Sequence, residues 1–115
     1  MKFLTKPLEK KLIENFNANE HRSEDTLDQK PVVKFFGGGA CTWLITEYDE
    51  KENLFFGLCD LGTGCPELGY VSRADLEALR FPPFGLPVER DLYFKADKTI
   101  TEYAEEASNL QRINA

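Results

Sequence analysis

The chain has 115 residues and a formal charge of −6, from 20 acidic and 14 basic side chains. That acidic balance excludes the basic footprint on which nucleic-acid binding depends, and it disfavours docking on an anionic membrane. Apolar residues at 42% and aromatics at 12% are enough for one packed domain over residues 1–115.

Residues 5–18 predict an amphipathic helix. Thr5 stands at its N-cap and Pro7 in its first turn, where a missing N–H costs little. Leu8, Leu12, Ile13 and Phe16 fall on one face, and Glu9, Lys10, Lys11 and Glu14 on the other. Charges recur every few positions in this opening stretch, so it has no signal-peptide core. No apolar run approaches the roughly 20 residues of a membrane span. The expected location is the cytoplasm. Residues 17–31 are polar, contain the single histidine, His21, and read as a long exposed loop.

Strands follow. Val32 to Phe36 is β-rich and ends at three glycines, Gly37 to Gly39, which read as a hairpin turn. Residues 41–48 form a second strand. Alternation sets Cys41, Trp43, Ile45 and Glu47 on one face and Thr42, Leu44, Thr46 and Tyr48 on the other. After the polar turn 49–53, residues 54–61 form a third strand, with Gly57 marking a bulge or a close approach. Leu68 to Val71 is a short fourth strand. Ser72 then caps a helix, with Asp75 three residues on. Leu76, Ala78 and Leu79 supply its buried edge, and Pro82-Pro83 stop it. Phe84 to Pro87 is an apolar turn. Val88 to Phe94 reads as the fifth strand, with Val88, Arg90, Leu92 and Phe94 opposite to Glu89, Asp91 and Tyr93. The last helix starts at Thr99 with Glu102, or at Thr101 with Glu105. Its stripe is Ile100, Tyr103, Ala104, Ala107, Leu110 and Ile113, and the residues beyond it are expected to fray.

The architecture expected from these elements is α+β. An antiparallel sheet of about five strands is covered by an N-terminal helix, a short middle helix and a C-terminal helix.

Few constellations carry chemistry. Cys41, Cys59 and Cys65 form no CxxC pair, and His21 has no spaced partner. Metal sites and Cys–His catalysis are therefore not expected, and neither is a cofactor. Glu89-Arg90-Asp91 is the densest charge cluster in an apolar region. An inward Arg90 needs a carboxylate, with Glu67 or Asp60 as candidates, and the result is either a cross-strand ion pair or an anion-binding pocket. Trp43, Tyr48, Phe55, Phe56 and Tyr70 are either core or an exposed binding patch. Glu47, Asp49, Glu50 and Glu52 crowd one turn, which reads as a solvated tip.

The runs KFLTKPLEKKL, VKFF, TWLITEYDE, LFFGL, PELGYVS with ADLEALR, and GLPVERDLYF resemble the domain-of-unknown-function family numbered 2958. Members of that family are often encoded on bacterial plasmids and mobile elements. The resemblance implies that genomic setting and no activity. It singles out Trp43, Glu67, Gly69, Tyr70, Gly85, Pro87, Glu89, Arg90 and Asp91.

The function expected is that of a non-enzymatic, cytoplasmic interaction protein of a mobile element. It would bind a protein partner through acidic and aromatic surface, as an inhibitor of a host defence system of the restriction or CRISPR kind would. The candidate contact residues are Trp43, Tyr48, Glu67, Tyr70, Glu89, Arg90 and Asp91. The alternative is a small-ligand or catalytic pocket built from Glu67, Glu89, Arg90 and Asp91.

Overall fold

A computed structural model of the chain describes residues 3–20 and 28–115, with only the backbone of Glu20. His21 and Leu27 lie outside the described residues. The elements are α1 (Lys6–Glu20), β1 (Val33–Gly37), β2 (Cys41–Asp49), β3 (Leu54–Asp60), β4 (Glu67–Ser72), α2 (Arg73–Ala78), β5 (Arg80–Phe81), β6 (Leu86–Pro87), β7 (Glu89–Arg90) and α3 (Ile100–Leu110). Five strands form an antiparallel sheet in the order β4-β3-β2-β1-β7, and β5 with β6 forms a separate hairpin. The α+β architecture is as expected.

One sheet face carries Val33, Phe35, Trp43, Ile45 and Phe55, packed with Leu12 of α1 and Leu76 of α2. Phe3 stacks on Phe35 there, with ring centroids 4.4 Å apart. The other face carries Leu44 and Leu58 under Ile100, Tyr103 and Ala107 of α3. The helix begins as expected at Thr99, whose N–H donates to Glu102 Oε1 at 2.9 Å.

Four expectations are corrected. First, helix α1 runs on to Glu20, into the stretch 17–31 read as loop. Its apolar stripe ends at Phe16, but two amides continue the inward face. Asn15 Nδ2 donates to the Thr46 carbonyl at 2.9 Å, and Asn19 Nδ2 to Glu47 Oε2 at 2.9 Å. The β1–β2 pairing has ended by then, at Val33↔Ile45. Second, the β2–β3 register shifts between Ile45 and Glu47. The extra residue reverses the alternation, so Tyr48 joins Trp43 and Ile45 in the core under α1 rather than sharing a face with Leu44.

Third, the expected strand 88–94 shrinks to Glu89–Arg90. Asp91 ends it, because its Oδ1 accepts from the Tyr93 N–H at 2.9 Å and folds the chain into an Asx turn. Fourth, the tail is tied down. Gln111 adopts a left-handed φ of 61°, and the Ile113 N–H donates to Asp60 Oδ2 at 3.0 Å, which buries Ile113. Leu110 of the expected stripe is exposed instead, as are Ala78 and Leu79 of the middle helix.

The glycines at the end of β1 do more than turn the chain. A Cβ on Gly38 would meet the Phe81 ring at 2.6 Å, and one on Gly37 would overlap it. Bare backbone is what lets the β5–β6 hairpin sit on this end of β1.

Candidate functional site

Two short elements that the core anchors frame a cleft. Ser72 caps α2 by accepting from the Asp75 N–H at 3.2 Å, and Leu76 is the one buried residue of that helix. Arg80 Nη1 donates to the carbonyls of Glu77 and Leu79 at 2.9 and 2.8 Å, filling acceptors that a helix end leaves open. The chain then forms the hairpin, with Arg80 opposite Pro87 and Phe81 opposite Leu86. It returns through buried Val88 into β7. The resulting cleft of about 330 Å³ is lined by Phe3, Glu77, Pro87, Val88, Glu89 and Arg90. Phe3, Pro87 and Val88 give it apolar walls, and its charges are two carboxylates and one guanidinium.

Arg73 orders the acidic side of this cleft. Its Nη1 lies 2.8 Å from Glu9 Oε2, its Nε lies 2.9 Å from Glu77 Oε1, and its guanidinium sits 5.1 Å from the centre of the Tyr48 ring. Burial works against its charge, but Glu9, Tyr48 and Glu77 outweigh that cost and raise its pKa. One side chain thus joins α1, α2 and the core. The Arg73/Glu77 spacing of four residues is the sequence signal for it. The partner on α1, Glu9, has no such signal.

The residues singled out from the sequence separate in space. Glu89 and Arg90 share the cleft. Arg90 Nε donates to the Phe3 carbonyl at 3.3 Å. Glu67 does not join them, because β4 and β7 are the two outer strands of the sheet. Asp60 is spent elsewhere, accepting from the N–H groups of Gly62 and Ile113 at 2.9 and 3.0 Å. Asp91 faces Lys34, with Oδ2 3.8 Å from Nζ. A half-exposed pair of this kind contributes about 0–1 kcal/mol. Trp43 and Tyr48 are 2% and 6% exposed, so they have little surface to offer a partner. Tyr70 is 64% exposed on β4, in edge contact with Phe56 at 5.0 Å.

Sequence reading did not single out two large apolar side chains of the hairpin, Phe84 and Leu86. Phe84 is 83% exposed and Leu86 59%. Apolar turn residues carry no mark of whether they face the core or water.

Other groups are structural. Asp49 Oδ1 accepts from the N–H groups of Lys51 and Glu52 at 3.1 and 3.2 Å, so this acid shapes the turn it occupies. Burial pushes the Cys59 thiol up to about 11, and burial with nearby Asp60 raises Cys41. Both shifts disfavour the thiolate that nucleophilic chemistry needs. Among the described residues, no three His, Cys, Asp or Glu side chains are placed to hold a metal ion.

Glu47 is a buried carboxylate whose titration is shifted. Desolvation raises its pKa, and the Asn19 hydrogen bond only partly opposes that. A folded pKa above the unfolded value means that the native state binds more protons. Stability therefore falls as pH rises through the folded pKa of Glu47. Glu47→Gln keeps an acceptor for Asn19 and removes the charge. The variant is expected to be at least as stable as the parent at pH 7 and to lose this component of the pH dependence. Urea unfolding between pH 4 and 7 measures both, and an unchanged slope would sink the assignment.

The family model described as a protein of unknown function (DUF2958) matches residues 3–114. No curated protein and no solved structure matches the chain.

Proposed function

The chain belongs to the DUF2958 family, and we propose that it is a non-enzymatic binding module that docks a protein partner on the β5–β6 hairpin and the cleft behind it. The observation that carries this reading is the exposure of Phe84 and Leu86, at 83% and 59%, on a short hairpin stiffened by proline. An exposed Leu alone is ordinary, but two large apolar side chains on one hairpin beside an apolar-walled cleft are the anatomy of an anchor. Glu77 and Glu89 line the cleft and the chain carries −6, so the complementary partner surface is basic.

The finer reading is a cytoplasmic protein of a bacterial mobile element that inhibits a host defence enzyme of the restriction or CRISPR kind. Two things support it: the genomic setting that the resemblance implies, and the charge. Nucleases present basic surfaces to their substrate, and an acidic protein competes for such a surface.

The test is capture from a bacterial lysate by the parent and by Phe84→Ser/Leu86→Ser. The double variant should retain its circular dichroism, since exposed substitutions usually shift stability by less than about 0.5 kcal/mol. The expected outcome is a stoichiometric basic partner held by the parent and lost by the variant. Equal capture by both would overturn the docking assignment. Plating of unmodified phage on a restricting host tests the finer reading, which fails if the parent protein leaves plating unchanged.

The cleft itself supports a second reading. Arg90 and Glu89 beside apolar walls suit a small amphipathic ligand, as in the pocket alternative without Glu67 and Asp91. A ligand that raises the melting temperature of the parent but not of Arg90→Lys would favour it.

A further inference from the structure

The two outer strands of the sheet are protected unequally. Strand β7 is two residues long, and short edges are a common defence against unwanted pairing. Strand β4 is six residues, Glu67 to Ser72, with no lysine, no proline and a single charge. Among the described residues no strand pairs with its outer edge. Leu68 and Tyr70 are 43% and 64% exposed, on the face shared with Phe56 and Leu58, their partners in β3.

The direction of the backbone groups on that edge follows from one hydrogen bond. The Arg73 N–H donates to the Asn53 carbonyl at 3.1 Å, one step beyond the Leu54↔Ser72 pair. Antiparallel ladders alternate, so Glu67, Gly69 and Val71 spend their N–H and C=O groups on β3, while Leu68, Tyr70 and Ser72 aim theirs outward.

From this edge we infer that the protein forms a two-fold dimer in which β4 pairs antiparallel with β4 of a second copy, centred on Gly69. A two-fold axis normal to a continuous sheet keeps each side chain on its own face, so only residues of equal parity can oppose each other. Centring on Gly69 sets Leu68 against the partner's Tyr70, and Tyr70 against the partner's Leu68. Both exposed apolar side chains then meet across the strands, and those same two residues carry the outward backbone groups. Glu67 meets the partner's Val71, so like charges do not oppose. Centring on Tyr70 would instead leave Leu68 against Ser72 and set Glu67 against an Arg73 already held by Glu9 and Glu77. An unrelated peptide has no such match built in, which is why the occupant is a second copy.

The contact is one strand wide, at the low end of specific interfaces, so the dimer is expected to be weak, with a dissociation constant on the order of 10–100 µM. Sedimentation velocity should show the dimer growing in over that range. Tyr70→Lys and Leu68→Glu should each weaken it at least about tenfold. The double variant Leu68→Glu/Tyr70→Lys places opposite charges directly across both pairs and should restore it. Gly69→Cys in a Cys65→Ser background reports the register. A Cβ at Gly69 meets nothing within 4 Å, and non-hydrogen-bonded antiparallel pairs lie about 4.5 Å apart, within disulfide reach. A mild oxidant should therefore link two copies. The inference is overturned if the parent stays monomeric to about ten times the upper end of that range, if Tyr70→Lys dimerises as tightly, or if Gly69→Cys does not cross-link. The hairpin is a separate surface, so Tyr70→Lys should keep any partner that Phe84→Ser/Leu86→Ser loses.

Discussion

Gly57→Ala is expected to destabilise the domain by about 4 kcal/mol or more, a large share of the roughly 5–15 kcal/mol that holds such a domain together. Gly57 lies in β3 opposite Ile45, beside the point where β2 gains its extra residue. A Cβ there would overlap the Leu44 carbonyl oxygen and stand 2.9 Å from the Ile45 Cα. Both obstacles are backbone, so no rotamer change relieves them. The relief available is to move β2 away from β3, which breaks the central pair of the sheet and loosens the packing on both faces. Gly69→Ala is the control, since its Cβ meets nothing within 4 Å. That change should cost less than about 1 kcal/mol, because a strand interior gains little from glycine. Urea unfolding followed by circular dichroism distinguishes the two. Similar midpoints would show that the strands tolerate separation at Gly57.

The close approach at Gly57 was legible in the sequence, because a lone glycine in a strand of large residues needs a reason. So were the Ser72 and Thr99 caps, which rest on local spacing, and the stripe of α3 through Ala107. What the sequence concealed depends on non-local geometry. Nothing in CTWLITEYD marks where the extra residue sits, yet that residue decides which face Tyr48 joins. Asn15 and Asn19 read as polar loop or helix surface until β2 appears beside them with a carbonyl and a carboxylate to receive their amides. The Glu67–Arg90 pocket failed on strand order. Both residues lie in strands, and only the arrangement β4-β3-β2-β1-β7 sets them at opposite edges. Asp91 looked like one more strand residue, and its local Asx bond, which competes with the ladder, ended the strand.

Trp43→Ala is expected to cost about 3–5 kcal/mol, enough to lower the melting temperature by more than about 10 °C. Trp43 is 2% exposed in β2, opposite Phe35 of β1 and Cys59 of β3. Its neighbours are strand residues held by ladders on both sides, so they cannot collapse far into the space left. The cavity therefore adds to the lost burial. Tyr70→Ala is the contrast. With a ring 64% exposed and in contact with Phe56, its loss should cost under about 1 kcal/mol while removing one half of each proposed cross-strand pair. The comparison bears on function as well as stability. A partner lost with Trp43→Ala would be lost through unfolding, and the result would assign nothing to a surface. A partner lost with Phe84→Ser/Leu86→Ser, at an unchanged melting temperature, assigns the hairpin. Should Trp43→Ala melt within about 3 °C of the parent, the core assignment would be wrong and the indole would return as a contact residue.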